Sequence, residues 1–216
     1  MATYRKYTDR MDIYIEEERK KIIIRQKWRY FWHESVGTSP WTYEEQKEFH
    51  NNVDRLIWNN WGEYFNLKAT GNSDFAKKNQ GKRWDVDFDI EWVLHSEHWK
   101  VNVTKYPSNH IGMITSSVAW DAKEIKLDTK DTRPQARSRN GNQYLQYPVV
   151  HEFGHAAGNS IFARTNMHGD EYKPTSTFYH DKNSLMNIGS ELRDRHLDYI
   201  LEELNGVIIN TRFSIY

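Results

Sequence analysis

The chain has 216 residues, 30 basic and 30 acidic, and no cysteine. Its length suits one domain or a small two-lobed one, and its zero net charge argues against a general electrostatic nucleic-acid binder. Without thiols, any metal site must be built from His and carboxylates, and no disulfide framework is possible.

No apolar run is long enough to span a bilayer. Met1-Ala2-Thr3-Tyr4-Arg5-Lys6 leads into polar sequence and not into a signal-peptide core. The expectation is synthesis in the cytoplasm, with any export by another route. Nine Trp and thirteen Tyr add large, partly polar surfaces, of a kind that serves both cores and clefts.

From Met11 to Trp32 the pattern predicts strands. Ile13 and Ile15 alternate with polar neighbours, and Ile22-Ile23-Ile24 is a β-branched run. The charged stretch from Glu16 to Lys21 reads as a turn or solvated edge, and Gly37-Thr38-Ser39-Pro40 breaks the pattern. Thr42 to Leu67 reads as a long helix. It opens on a capping box of Thr42 and Glu45, and Phe49, Val53, Leu56, Ile57, Asn60 and Trp61 follow helical spacing. Ala69 to Lys82 reads as a loop.

Val86, Phe88 and Ile90 alternate with Asp85, Asp87, Asp89 and Glu91, which predicts a half-buried antiparallel strand with its acids on the wet face. Trp99, Val101 and Val103 predict another strand. His95, Glu97 and His98 between them look like a hairpin end. Thr129 to Gln143, with Arg133, Arg137 and Arg139, reads as a mobile solvated loop, possible flank of a cleft.

Val149-Val150-His151-Glu152-Phe153-Gly154-His155 carries the strongest signal. It is H-E-x-x-H. On a helix, residues i and i+4 share a face, so both imidazoles reach one ion. Glu152 between them is placed as general base on water activated by the metal, not as a ligand. The helix is expected to start near Tyr147-Pro148, where a first-turn proline is tolerated, and to end at Gly158-Asn159. Three residues after Gly158, where a metzincin site places its third ligand, stands Ile161, which cannot ligate. The segment from Asn159 to Gly169 delays the ligand to Asp170 or Glu171, the first carboxylates that follow. His168 and His180 are the other donors considered.

Ser184-Leu185-Met186-Asn187 looks like a Met-turn, with Met186 as an apolar floor or a plain core residue. Ser190 to Leu204 reads as a helix with Leu197, Ile200, Leu201 and Leu204 as its buried stripe. Arg193 and His196 near its start are candidates to stabilise an oxyanion, with Tyr172 and Tyr179 behind them. His196 is taken as the catalytic partner of Glu152.

Residues 148–204 combine His-Glu-Phe-Gly-His-x-x-Gly, Asp-Glu-Tyr, Ser-Leu-Met-Asn-x-Gly and Leu-Arg-x-Arg-His. In this they resemble bacterial zincin-type, metzincin-like metallopeptidases, such as the toxin domains fused to type VI secretion spike proteins. The resemblance implies a zinc (Zn2+) peptidase, a secreted antibacterial effector delivered to the target-cell periplasm. It also implies a protein or peptide substrate, a cognate immunity protein and a spike fusion or carrier. No nucleic acid and no membrane span are expected.

The expected fold is a single α+β zincin-like domain over 1–216. Residues 1–146 supply a mixed or antiparallel sheet and a long backing helix; residues 147–206 supply the catalytic helix, third-ligand loop, Met-turn and C-terminal helix. Three other readings stay open: a zinc amidase or endopeptidase on cell-wall peptides, a non-catalytic zinc-containing binding module, and an interaction protein with an aromatic face.

Overall fold

The computed structural model describes residues 3–107, 115–139, 141–164 and 168–216. Met1 and Ala2, which begin the N-terminal segment read above, lie outside them, as do Asn140 of the arginine-rich stretch and 165–167 of the delayed-ligand segment. In chain order the strands are β1 (Thr3–Tyr7), β2 (Asp12–Glu16), β3 (Lys21–Glu34), β4 (Asn66–Gly71), β5 (Arg83–Trp92), β6 (Trp99–Lys105), β7 (Ser117–Ala119), β8 (Glu124–Asp128), β9 (Gln135–Arg139), β10 (Asn142–Gln146) and β11 (Thr211–Ile215). The helices are α1 (Tyr43–Trp61), α2 (Asp74–Lys78), α3 (Pro148–Ala156) and α4 (Asp198–Leu204), the last entered through a 3-10 turn at Asp194–Leu197.

The architecture is α+β with a mixed sheet. Among the described residues, nine strands join in the order β11-β4-β5-β3-β6-β8-β7, with β1 and β2 branching from β3. The branch exists because β3 is long. Its first half pairs with β2 on one side, through Lys21–Arg25, and its second half pairs with β6, from Trp28 onward.

Ile22, Ile24, Gln26, Trp28 and Tyr30 are buried at every second position of β3. This period-two burial marks one covered face. α1 and α3 pack there. Trp61 of α1, Phe88 of β5 and Phe153 of α3 form a closed triangle, with ring centroids 5.2–5.6 Å apart. Such edge contacts add to area burial in fixing one orientation.

Several expectations change. The helix from Thr42 keeps its capping box, with both reciprocal bonds made, but stops at Trp61 because Gly62 is extended. Residues 62–65 form a turn, and Asn66 and Leu67 already belong to β4. The stretch from Ala69 to Lys82 is not all loop: it ends β4 and forms α2, capped by the Ser73 hydroxyl.

β5 is parallel to β3 along most of its length and antiparallel only to β4. Its acids face bases across that parallel pair. Lys21 meets Asp87 at 2.6 Å and Arg25 meets Asp89 at 2.5 Å. Asp87 is buried by this pairing and not wet.

His95 to His98 is no hairpin end. β5 and β6 lie on opposite sides of β3 and run the same way, so the chain must cross it. His98 is buried in that crossing. Its Nδ1 accepts the Lys27 N–H at 2.9 Å, and its Nε2 faces Asp12 at 3.2 Å.

The arginine-rich stretch contains a paired β9–β10 hairpin. The C-terminal helix starts at Asp194 rather than Ser190, with Leu197, Ile200 and Leu204 buried as expected. β1 and β11 had no counterpart in the sequence reading. β11 returns to the sheet beside β4.

Candidate metal centre

α3 places His151, Glu152 and His155 on the cleft wall. It starts on Pro148, and the Asp131 carbonyl accepts the early Val149 N–H at 3.2 Å, in the absence of a side-chain cap. Gln26 from the middle of β3 donates to the Ala156 carbonyl at 2.8 Å and holds the other end. The helix is thus tied to the sheet at one end and to the loop after β8 at the other. After Ala157, Gly158 turns the chain away with φ +111°. A Cβ there would meet Tyr199 at 2.3 Å, so both backbone and space require glycine.

Backbone carbonyls set the histidine tautomers. His151 Nδ1 lies 2.7 Å from the Leu185 carbonyl, and His155 Nδ1 lies 2.6 Å from the Asn159 carbonyl. A carbonyl only accepts, so each Nδ1 carries a proton, and in the neutral ring each Nε2 keeps a lone pair. Both lone pairs converge on one carboxylate. Asp170 Oδ1 is 3.6 Å from His151 Nε2 and 3.0 Å from His155 Nε2. The three donors lie within 4.8 Å of one another and could hold a metal ion. Two imidazoles and one carboxylate suit a divalent transition metal, with coordination left open.

Burial works against charge on His155, yet its bond to Asp170 and the nearby Glu152 raise its pKa. Burial likewise opposes ionisation of Asp170, but its contacts with His151 and His155 hold its carboxyl far below the usual range. Without an ion, the 3.0 Å contact with Asp170 needs a proton on His155 Nε2, the position that a metal would take.

Glu171 does not join this group. It is fully buried and lies with His168 and His196 in a second cluster. Arg195 binds it through Nε at 2.7 Å and Nη2 at 2.9 Å. Burial raises its pKa, but Arg195 and His196 outweigh that and bring it down to about 2.

The second cluster is a poor metal site for a chemical reason. His196 Nδ1 accepts the Arg193 N–H at 3.1 Å. In the neutral ring the proton is then on Nε2, which faces Glu171 at 3.4 Å and Ser184 at 3.2 Å and has no lone pair to give.

His196 is consequently not a catalytic group of this cleft: its side chain is buried in the cluster behind it and is absent from the cleft lining. Arg193 is spent on Asp181 and Glu191. Tyr179 accepts a bond from Arg139, and His180 is exposed outside both clusters. Tyr172 does line the cleft. Burial and the charge of Asp170 push its phenol up to about 12, so it stays a proton donor.

Met186 is fully buried under α3. A Cβ on Gly154 would stand 2.4 Å from its sulfur, so the Gly of the motif admits Met186 beneath the two histidines. Gln146, buried at the end of β10, donates to the carbonyls of Leu185 at 2.8 Å and Gly189 at 2.6 Å and secures this turn. Neither Gln146 nor the Leu185 and Asn159 carbonyls carried any sequence signal of a role, since a backbone carbonyl is the same at every residue.

The cleft has two arms, of about 490 and 410 Å³, that share Thr115, Ser116, His151, Glu152 and Tyr172. These volumes fall in the range of ligand sites. One arm passes the sheet-edge strand β7 and the exposed Ile161 and Phe162; the other passes β9, Gln146 and Pro148.

Compared with family models, curated proteins and solved structures, the chain matches none.

Proposed function

We propose that this chain is a zinc-dependent metallopeptidase in which His151, His155 and Asp170 hold the metal and Glu152 is the general base. The observation that carries the reading is the pair of carbonyls that hold both imidazoles with Nε2 aimed at a single carboxylate. Three protein ligands with an open position are the pattern of a catalytic rather than a closed structural site.

Bound zinc would supply a Lewis acid that polarises a carbonyl and makes water more acidic. Glu152, between the two histidines and lining both arms, takes the proton of the attacking water and passes it to the leaving amine. Tyr172, which also lines both arms, has a phenol that stays protonated and donates to the developing oxyanion. The edge strand β7 along one arm offers backbone groups to an extended peptide.

The backing helix α1, the H-E-x-x-H helix and Met186 beneath it support a zincin-like arrangement. The likeness of 148–204 to type VI effector domains supports action as an antibacterial toxin, with an immunity protein as partner.

The test pairs metal content with hydrolysis of a fluorogenic peptide mixture. Wild-type protein is expected to hold about one zinc per chain. Glu152→Ala keeps that zinc and loses roughly 10²–10⁴-fold in rate. Wild-type protein that takes up no zinc, or a Glu152→Ala protein that cleaves normally, overturns the reading.

A further inference from the structure

The arm of the cleft beside Pro148 is walled by β9, where Gln135, Arg137 and Arg139 alternate along one face and all line the cavity. Arg139 is committed to structure. Its Nη1 donates to the Tyr172 carbonyl at 3.0 Å, its guanidinium lies 4.4 Å over the Tyr179 ring, and Nη2 bonds the Tyr179 hydroxyl. These contacts fasten β9 to the segment that carries Asp170.

Arg137 lines the same arm, and so does Tyr172. The other arginines near the centre are consumed: Arg193 by Asp181 and Glu191, Arg195 by Glu171 and Asp181. Arg137 forms no ion pair with any described residue and is exposed at the rim. The carboxylates of this arm, Glu152 and Asp131, are buried behind it.

We propose that Arg137 is a specificity-determining residue that takes a carboxylate of the substrate in the Pro148 arm, so that the preferred substrate is a peptide with an acidic group beside the cleaved bond. The inference rests on the peptidase reading. A guanidinium presents a planar fork of donors that matches a carboxylate bidentately. The carboxylate has two sources, an acidic side chain or a free C-terminus.

The experiment uses the zinc-loaded full chain and fluorogenic peptides that differ only in Glu, Gln or Lys at each position flanking the cleaved bond, each with a free or an amidated C-terminus. Wild-type protein is expected to prefer Glu over Gln at one position, or the free over the amidated end, by roughly 10- to 100-fold in kcat/KM, carried by KM. Arg137→Gln brings that ratio close to unity, and Arg137→Glu shifts the preference to Lys. No charge preference in the wild type, or a preference that survives Arg137→Gln, overturns the proposal.

Calorimetric binding of the Glu and Gln peptides, with free and amidated ends, to Glu152→Ala protein, with and without Arg137→Gln, gives a second readout. Failure of the wild type to cleave any peptide strikes the peptidase reading. Arg137-dependent preference for the Glu peptide or for the free end then still upholds the subsite, and equal binding of all these peptides overturns it.

Discussion

His151 donates its Nδ1 proton to the Leu185 carbonyl at 2.7 Å, and Leu185 immediately precedes Met186, whose sulfur lies against Gly154. One short turn therefore sets the tautomer of a candidate ligand and fills the space beneath the helix that carries it. Metal ligands are commonly oriented in this way by the group that accepts their second ring proton.

The two adjacent carboxylates should separate cleanly by zinc affinity. Asp170→Ala removes one of three donors and is expected to weaken zinc by far more than the roughly 10–100-fold typical of an outer-shell change. Glu171→Ala leaves the donors in place and takes the shared carboxylate from Arg195 and His196, leaving them Asp181 and Ser184, so its main loss is in stability. Competition with a chelator, read beside thermal unfolding, distinguishes them. A Glu171→Ala protein with full stability and no zinc would move the ligand to Glu171.

Gly154→Ala should be destabilising although alanine favours helices. Its Cβ would meet the buried Met186 sulfur at 2.4 Å and Trp61 at 3.2 Å. Overpacking of this kind costs about 1–3 kcal/mol. Adding Met186→Ala frees the space, so the double variant should be less destabilised than the sum of the singles, as contacting residues in one cavity are coupled. Additive urea-unfolding energies would show that the two do not share that space.

Arg195→Met leaves the fully buried Glu171 carboxylate without its two-pronged partner. Removing one member of a buried pair costs about 3–5 kcal/mol. Equilibrium unfolding at neutral pH reads this directly. A loss below about 1 kcal/mol, the value of an exposed pair, would mean that water reaches Glu171.

Asp131 should make stability fall as pH rises. Burial, then the charge of Asp128, moves its pKa from 3.8 to about 7. The folded state therefore binds a proton that the unfolded chain releases. The contribution is fully present below the unfolded value and is lost as pH climbs towards the folded one. The slope in this window is about 1.4 kcal/mol per pH unit for one proton. Asp131→Asn keeps an oxygen for Ser116 and the Asp128 N–H and should remove that slope in metal-free protein. An unchanged stability profile between pH 4 and 7 would assign the proton to another group.

Features set by near neighbours were legible without the fold. The capping box of Thr42 and Glu45 forms as its spacing demands, because both partners sit on one turn of chain. His151 and His155 share a helical face for the same reason. Even the alternation of Val86, Phe88 and Ile90 survives as a buried face, while strand direction does not follow from it: parallel and antiparallel partners accept the same period-two pattern. β1 and β11 escaped notice because pairing with β2 and β4 gives those short polar segments their hydrogen bonds.

The amino-acid sequence by itself determined that two imidazoles and a carboxylate stand on one helix, since α-helical periodicity needs no distant contact. Only the tertiary structure decided that Asp170 and not Glu171 meets them. Neighbouring residues project in different directions, and Arg195 and His196, packed from the far side, claim Glu171 and leave Asp170 to the cleft. The same long-range packing turned His196 from a candidate at the site into a buried brace, because Glu171 and Ser184 face its Nε2 behind the cleft.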